Sequence, residues 1–437
     1  MQGVIVAGGK GTRLKDRLGD LPKPMVEIGG KPLLEHQIAS FKESGIDDLL
    51  VLTGCGAKHI EEYFGDGSRW GVQIRYRRER EPLGTAGAVI EAFDALQPAF
   101  VLAYGDTMFN IDISRMISAH GPESAATLFL HPNSHPFDSD LVETNSEGQI
   151  IKFRSYPHPE GQFFGNLVNA ALYVLNRGKL ADWHRRKNQL SYPLDFGKHV
   201  FPAMLRSGAT LQGYRSREYI KDAGTPKRLD EVTEDYESGR IESGSLWSAV
   251  PAVFFDRDGT LNYDCGWLKS PNQLALLPGA AEAVRRVNRA GYLAVIVTNQ
   301  PVIARGECTE DGLALIHNKL EWELGKNHAY LDAIYACPHH PESGHRGEVR
   351  ELKRVCECRK PGVELFRRAG QDLNIDLARS WMIGDRASDI LAARNLGMSS
   401  VLVARNGEDS SAADSCEPTY RCLSVLGAVR YALSMET

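Results

Sequence analysis

Asp256-Arg257-Asp258-Gly259-Thr260 directly follows the apolar run Ala252-Val253-Phe254-Phe255. A short unbroken apolar run of this kind predicts a strand buried on both faces of a parallel sheet. Its two carboxylates, one residue apart, then emerge at the carboxyl end of a sheet, where open α/β folds place their ligands. Close carboxylates in one pocket repel, so the pattern calls for a divalent cation and for distinct roles. One can attack a phosphorus atom while the other moves a proton.

Around this stretch strand-like and helix-like segments alternate. Leu293 to Val297 reads as a strand ending at Thr298-Asn299-Gln300, and Thr309 to Leu324 as a helix with Thr309 as its N-cap. Leu331 to Ala336 and Trp381 to Ile383 are further strands, the second ending at Gly384-Asp385. The first ~240 residues repeat the scheme, with strands at Gly3 to Ala7, Leu49 to Thr53 and Phe100 to Ala103 and a helix at Pro32 to Ser44. This alternation predicts the α/β class, as two Rossmann-like three-layer domains with mostly parallel sheets. Glu231 to Ser248 is rich in Glu, Asp, Ser and Gly and loses apolar periodicity after Tyr236. The expected division is a domain at 1–236, a linker at 237–249 and a domain at 250–437.

Composition narrows the partners. The 437 residues are 42% hydrophobic and 24% charged, as in ordinary globular proteins, and suffice for two cores. A net charge of -5 argues against a nucleic-acid partner. No apolar run approaches a membrane span, and the start MQGVIVAGGKG lacks the form of a secretory signal. Eight cysteines, three of them in a metal-like pattern, fit a reducing cytoplasm better than a disulfide scaffold. The expectation is a cytoplasmic protein with small-molecule substrates and no membrane partner.

Gly8-Gly9-Lys10-Gly11-Thr12-Arg13-Leu14 follows the first strand. Glycines there let backbone N–H groups approach phosphate oxygens, and Arg13 offers fixed donors to a polyphosphate. Pro22-Lys23-Pro24 adds a cation between two stiff residues. The spacing is neither the dinucleotide fingerprint nor a Walker A loop. The stretch resembles the sugar-1-phosphate nucleotidyltransferase family. The resemblance continues at Pro82-Leu83-Gly84-Thr85-Ala86-Gly87, Tyr104-Gly105-Asp106, Val168-Asn169-Ala170 and Asp222-Ala223-Gly224-Thr225-Pro226, covering about residues 1–235. It implies attack of a sugar 1-phosphate on the α-phosphate of a nucleoside triphosphate, with pyrophosphate leaving. By that resemblance Asp106 and Asp222 hold Mg²⁺, Arg13 binds the pyrophosphate and Lys23 steadies the phosphate under attack. Gly8, Gly9, Gly11, Thr12 and Gly84 lie against the nucleotide and Asn169 near the sugar. Many members carry Glu-Lys before a proline where this chain has Arg154-Ser155-Tyr156-Pro157. Lys152 and Arg154 are the candidate replacements for that lysine. Relatives of this kind often assemble, which leaves a homo-oligomer open.

In the second half, Cys337-Pro338-His339 and Cys356-Glu357-Cys358 offer three thiols and an imidazole, a set suited to tetrahedral Zn²⁺. His340 and His345 are rival ligands. The intervening loop is charged and polar, so a structural Zn²⁺ would supply folding free energy that the loop lacks, about 10–16 kcal/mol in peptide models.

The Asp-x-Asp-Gly-Thr stretch resembles the haloacid dehalogenase superfamily of phosphatases, whose other motifs follow as Thr298-Asn299, Lys360, and Gly384-Asp385 with Asp389. The resemblance implies that Asp256 is the nucleophile and that Asp258 protonates the leaving oxygen and then activates water. Asp256, the backbone carbonyl of Asp258 and Asp385 would hold Mg²⁺, while Thr298, Asn299 and Lys360 bind phosphoryl oxygens. Ile303-Ala304-Arg305-Gly306, the Cys/His cluster and Cys358-Arg359-Lys360-Pro361 narrow the likeness to the D-glycero-D-manno-heptose 1,7-bisphosphate 7-phosphatases, over about residues 250–435. That implies no large cap, and substrate contacts from Arg305 and Arg359. Pro301-Val302 stands where the family has Ser-Gly.

Together the resemblances imply removal of the 7-phosphate from heptose 1,7-bisphosphate, then guanylyl transfer from GTP to heptose 1-phosphate. Another sugar or polyol phosphate, with CTP or UTP, is the alternative within the same chemistry. A sugar-nucleotide sensor with one inactive domain is the alternative outside it, and Asp256, Asp258 and Asp385 argue against it.

Overall fold

A computed structural model describes residues 1–9, 11–344, 346–404 and 417–435. Lys10 of the glycine loop and His345, a rival metal ligand, lie outside the described residues. The chain forms two compact units. One comprises residues 1–131, 142–155 and 168–246, and the other 132–141, 156–167 and 247–437. The two short segments therefore group with the second unit, where the backbone N–H of Asn166 donates to Glu321 (3.0 Å). Among the described residues no helix is long and apolar enough to cross a membrane.

The first unit is built on a nine-stranded sheet. Its strands are β1 (Gln2–Ala7), β2 (Asp48–Thr53), β3 (Gln73–Arg78), β4 (Ala99–Tyr104), and, after β5 (Thr107–Asn110) in a separate ribbon, β6 (Ala126–His131). β7 (Leu141–Thr144), β8 (Ile150–Arg154), β9 (Val168–Asn176) and β10 (Leu211–Arg215) complete it. The order β3-β2-β1-β4 is parallel throughout, as the alternating pattern predicts. β9 then joins β4 antiparallel and β6 pairs with both β9 and β10. The sheet is thus mixed rather than mostly parallel. Register fixes the active end: Val6 faces Tyr104, Ala7 faces Thr53, and Thr53 faces Arg78. The turns beginning at Gly8, Gly54, Glu79 and Gly105 therefore leave the same edge side by side. A short antiparallel ribbon of β5 and β11 (Tyr219–Asp222) lies outside the sheet.

The second unit has six parallel strands: β12 (Ala252–Phe255), β13 (Leu293–Asn299), β14 (Ala333–Cys337), β15 (Trp381–Gly384), β16 (Ser399–Val403) and β17 (Tyr420–Cys422). Their order is β14-β13-β12-β15-β16-β17, so the strand order reverses direction beside β12. Such a switch point opens a crevice at the carboxyl ends of the strands. Val253, Phe254 and Phe255 are fully buried, the price of a strand covered on both faces. The helix Glu310–Gly325 is capped by Thr309, whose hydroxyl accepts from the Gly312 N–H (3.0 Å). Between the units' main elements, the helix Pro226–Glu237 is followed by a further turn, Arg240–Ser243, anchored by buried Ile241. One buried residue in a four-residue helix leaves no periodicity to read in the sequence.

Candidate active sites

In the first unit the glycine loop turns at Gly11, whose φ of 62° lies in the left-handed region. Buried Leu14 anchors the loop, while Thr12 and Arg13 stay exposed. Space in front of Gly9 is open, with no atom within 4 Å of a would-be Cβ.

Three predicted residues converge around Gly224. A Cβ there would stand 2.7 Å from Asp222 Oδ1, 2.9 Å from Lys23 Nζ and 3.2 Å from Asp106 Oδ2. Only glycine leaves room for them. The ribbon of β5 and β11 causes the convergence: Thr107 faces Asp222, and the Ala223 N–H donates to Asp106 O (2.8 Å). Lys23 Nζ donates to Asp106 Oδ2 at 2.9 Å. Asp222 accepts from the Gly224 N–H and from Arg228. Two cations thus oppose two carboxylates, and the carboxylate pair has the hard oxygen donors that suit Mg²⁺.

Asn169 sits at a register shift in β9, two residues before Ala171, whose φ is 58°. A non-glycine residue in that region marks backbone strain, which collects at functional sites. Asn169 Oδ1 is buried without a hydrogen-bond partner among the described residues. Its Nδ2 lies 3.3 Å from the Cβ position of Gly197, next to exposed Lys198 on a π-turn at Phe196–Val200. Of the two candidate replacement cations, Arg154 is bound to Glu143 (2.9 and 3.2 Å), and Lys152 is exposed. Gly84 has φ 81°, and its Cβ side is filled by the Leu194 backbone, 2.7 Å from Leu194 N.

Glu79 is a residue the sequence reading passed over. Its carboxylate lies against the loop glycines: a Cβ on Gly8 would collide with Oε1, and one on Gly54 would stand 2.7 Å from it. Oε2 accepts from the Leu83 N–H (3.2 Å). Burial pushes the Glu79 carboxyl up, against the Leu83 hydrogen bond. In Arg77-Arg78-Glu79-Arg80-Glu81 the acid gave no periodic or motif signal.

In the second unit Asp256 and Asp385 leave adjacent strands, β12 and β15, at the switch point. Lys360 Nζ bridges Asp256 Oδ1 (2.7 Å) and Asp389 Oδ1 (2.6 Å). Burial opposes the ammonium, but the two carboxylates hold it above its ordinary range. Oxygens of Asp256, Asp385 and Asp389 all lie within 4.8 Å of one another, a set that suits a hard divalent cation. Asp389 thus joins the group, although the sequence reading gave it no role. It stands at the third position of the helix Ala387–Leu396, whose N-cap Arg386 directly follows Asp385 and donates its backbone N–H to Asp389 Oδ2 (3.0 Å).

Asp258 was expected to reach the metal through its backbone carbonyl, and its carboxylate has partners of its own. It accepts from Arg257 (2.7 to 3.1 Å), Gln300 Nε2 (2.8 Å) and Asn262 Nδ2 (2.9 Å). Burial works against the anion, yet Arg257, Asn262 and Gln300 hold the carboxyl below its usual range. Thr298 is buried, and its hydroxyl accepts from Gln300 Nε2 (3.0 Å). Asn299 departs from its expected role. Its amide clamps the Lys360 backbone, accepting from Lys360 N (2.9 Å) and donating to Lys360 O (3.1 Å). Pro301-Val302 leads into a small apolar cluster in which Val302 and Ile303 pack with Leu313.

Cys337, His339, Cys356 and Cys358 bring their ligand atoms within 4.8 Å of one another. Sulfur–sulfur separations run from 3.2 to 3.6 Å, and His339 Nδ1 lies 3.1 Å from Cys358 Sγ. Three thiols and one imidazole at tetrahedral-edge separations fit Zn²⁺. His340 is turned away to Glu342, so of these two described histidines it is His339 that stands with the thiols. Burial pushes both the Cys337 and the Cys358 thiols up, Cys358 to about 11, so a metal would have to displace protons to bind. Cys358 is two residues before Lys360, so the quartet adjoins the lysine that bridges Asp256 and Asp389. Arg359 Nη1 donates to His339 O (3.2 Å), and the Arg305 guanidinium lies over the Trp267 ring at 4.1 Å.

Comparison with known proteins matches a nucleotidyl transferase family model to residues 2–239 and a HAD-hydrolase-like model to residues 357–428. The chain is 39% identical over 160 residues to D-glycero-beta-D-manno-heptose-1,7-bisphosphate 7-phosphatase of Escherichia coli O6:H1, covering 37% of this chain and 82% of that protein. Among solved structures it resembles HddC from Yersinia pseudotuberculosis, at 22% identity and a TM-score of 0.46, over 54% of this chain and 99% of that one. It also resembles D,D-heptose 1.7-bisphosphate phosphatase from B. bronchiseptica complexed with magnesium and phosphate. That likeness has 30% identity and a TM-score of 0.37, over 43% of this chain and 99% of that one.

Proposed function

Because the chain belongs to the nucleotidyl transferase family over residues 2–239 and, in its C-terminal part, to the family of the heptose bisphosphate phosphatases, we propose that it makes a nucleotide-activated heptose in two steps. It is a bifunctional enzyme with a nucleotidyltransferase and a phosphatase domain. We assign the domains to residues 1–236 and 250–437, joined through 237–249. The observation that carries the reading is the pair of phosphate-handling centres on one chain, one around Lys360 and one around Gly224.

In the first step Asp256 attacks the 7-phosphate of heptose 1,7-bisphosphate, and Asp258 protonates the departing sugar oxygen. Asp258 then takes a proton from the water that releases phosphate from the aspartyl-phosphate. Lys360, held at Asp256, and Thr298 stabilise the charge spreading over the phosphoryl oxygens. Arg305 and Arg359 receive the rest of the substrate. In the second step heptose 1-phosphate attacks the α-phosphate of GTP. Lys23 steadies that phosphate, Arg13 holds the leaving pyrophosphate, and Asn169 with Lys198 faces the sugar phosphate. Mg²⁺ at Asp256, Asp385 and Asp389, and at Asp106 and Asp222, supplies neutralising charge when bound. Zn²⁺ in the Cys/His quartet is structural.

Glu79 supports the choice of GTP. A carboxylate accepts two parallel N–H donors, and guanine presents adjacent N1–H and N2–H₂ groups. Adenine and cytosine would set an acceptor against it.

The test is mass spectrometry of products from the purified chain, given mixed heptose bisphosphate anomers and all four nucleoside triphosphates. GDP-heptose with phosphate and pyrophosphate is expected. A preference for UTP or CTP rejects the guanine assignment, and faster turnover of another sugar phosphate rejects heptose. Release of neither phosphate nor pyrophosphate rejects both activities.

A further inference from the structure

Arg257 is among the largest fully buried side chains of the described residues, at 0% exposure. An arginine without access to water is costly unless every donor finds a partner. Here Nε and Nη2 fork onto the Asp258 carboxylate, Nη2 also donates to Gln300 Oε1 (2.8 Å), and Nη1 meets His317 Nε2 (3.2 Å). Gln300 closes the ring from the other side. Its Nε2 donates to Asp258 Oδ2 (2.8 Å) and Thr298 Oγ1 (3.0 Å), and its backbone N–H donates to Cys337 O (2.7 Å). The network therefore ties Asp258 to the strand end that carries Thr298 and to the first residue of the Cys/His quartet. Neither Arg257 nor Gln300 has a part in the two steps above.

We propose that Arg257 and Gln300 are positioning residues for Asp258, fixing the plane of its carboxylate for both proton transfers. The inference rests on the phosphatase reading. In the first transfer the Asp256 oxygen bonds to phosphorus, the phosphorus–sugar oxygen bond breaks, and the leaving oxygen takes the Asp258 proton. In the second, water oxygen bonds to phosphorus, the Asp256–phosphorus bond breaks, and Asp258 regains a proton from the water. Held from two sides, the carboxylate cannot rotate between these events. A freely rotating one would lose alignment in both.

The two transfers can be read apart. p-Nitrophenyl phosphate releases a leaving group that departs without a proton, whereas an alkyl phosphate needs one. Arg257→Lys keeps the charge and loses the fork, and Gln300→Leu keeps the shape and loses the donor. In the full-length chain either variant should lower turnover of heptose 1,7-bisphosphate ~10²-fold, the usual scale of acid–base catalysis, with KM shifted less than about threefold. With p-nitrophenyl phosphate each should show a rapid burst of one nitrophenol per chain, slowed at most about threefold, followed by turnover slowed ~10²-fold. A structural role alone would slow burst and turnover together, and that result overturns the proposal. So does unchanged turnover in both variants, or failure of both to fold by circular dichroism. Wild type inactive on both substrates, or Asp256→Asn retaining full phosphate release, sinks the phosphatase reading and this inference with it. An active wild type, an inactive Asp256→Asn and variants without a burst sink the inference alone.

Discussion

The two candidate sites handle phosphate with opposite degrees of burial. Around Lys360 the charged side chains are nearly dry: Lys360 is 2% exposed, Asp256 9% and Asp389 1%. Around Gly224 they are wet: Lys23 is 19% exposed, Asp106 31% and both Asp222 and Arg228 near 40%. A phosphatase site profits from fixed charges in a dry crevice, where they act without rearranging. A site that must admit a nucleoside triphosphate and release pyrophosphate stays open, and its charges are completed by the ligands. The contrast teaches that charge pairs in the second unit belong to stability as well as chemistry, while those in the first belong to chemistry alone.

The strongest way to break that contrast is Lys360→Met. It leaves two buried carboxylates facing each other, and breaking such a cluster costs about 3–5 kcal/mol. Denaturant unfolding without metal should show that loss in the second unit, along with loss of phosphate release. A variant as stable as wild type would refute the claim that the pair supports the fold. Addition of Mg²⁺ should recover part of the loss, because the cation replaces the missing charge.

Next in size is removal of Zn²⁺ by chelation, or Cys358→Ser. Metal binding is folding free energy for a polar loop, so the unfolding temperature of the second unit should fall by on the order of 10 °C. Phosphatase activity should fall with it, since Cys358 leads directly to Lys360, while pyrophosphate release should persist. A folded, fully active preparation without zinc by elemental analysis would remove the structural metal.

Asp106→Ala should disturb less of the molecule and still stop one reaction. Pyrophosphate release should fall at least ~10²-fold, while stability changes by no more than about 1 kcal/mol, as for other solvent-accessible pairs. Phosphate release should be unaffected. A large stability loss would erase the distinction between the two sites.

The smallest effect is expected from Glu79→Gln. Preference for GTP over ATP should fall about tenfold, the scale of one lost hydrogen bond. The variant also has a pH signature. Burial raises the carboxyl's folded pKa above its unfolded value, so ionisation opposes folding above that range. At neutral pH Glu79→Gln should be slightly the more stable protein, and the difference should vanish as pH falls below the unfolded pKa. An unchanged nucleotide preference would leave Glu79 as a packing residue.

Much of this was legible before any coordinates. Apolar runs ending in Asp256 and Asp385 announced strand ends carrying ligands, and the glycine loop announced a phosphate cradle. What escaped were residues whose meaning depends on neighbours distant in sequence. Glu79 matters because parallel register brings the turns after β1, β2 and β3 to one edge. Asn299 looked like a phosphate ligand, yet its amide is spent on the Lys360 backbone 61 residues away. Arg257 lies between two acids in the sequence, and its buried guanidinium pairs with one of them, Asp258.

The sequence by itself determined the α/β class, the two chemistries and the metal-type residues, because strand burial and ligand chemistry are local properties of short stretches. Only the tertiary structure decided which residues share a centre. It chose His339 over His340, added Asp389 beside Lys360, and turned Asp258 toward Arg257. The physical reason is that a side chain's direction is set by strand register and by the partner that satisfies its charge, and both come from parts of the chain far away in sequence.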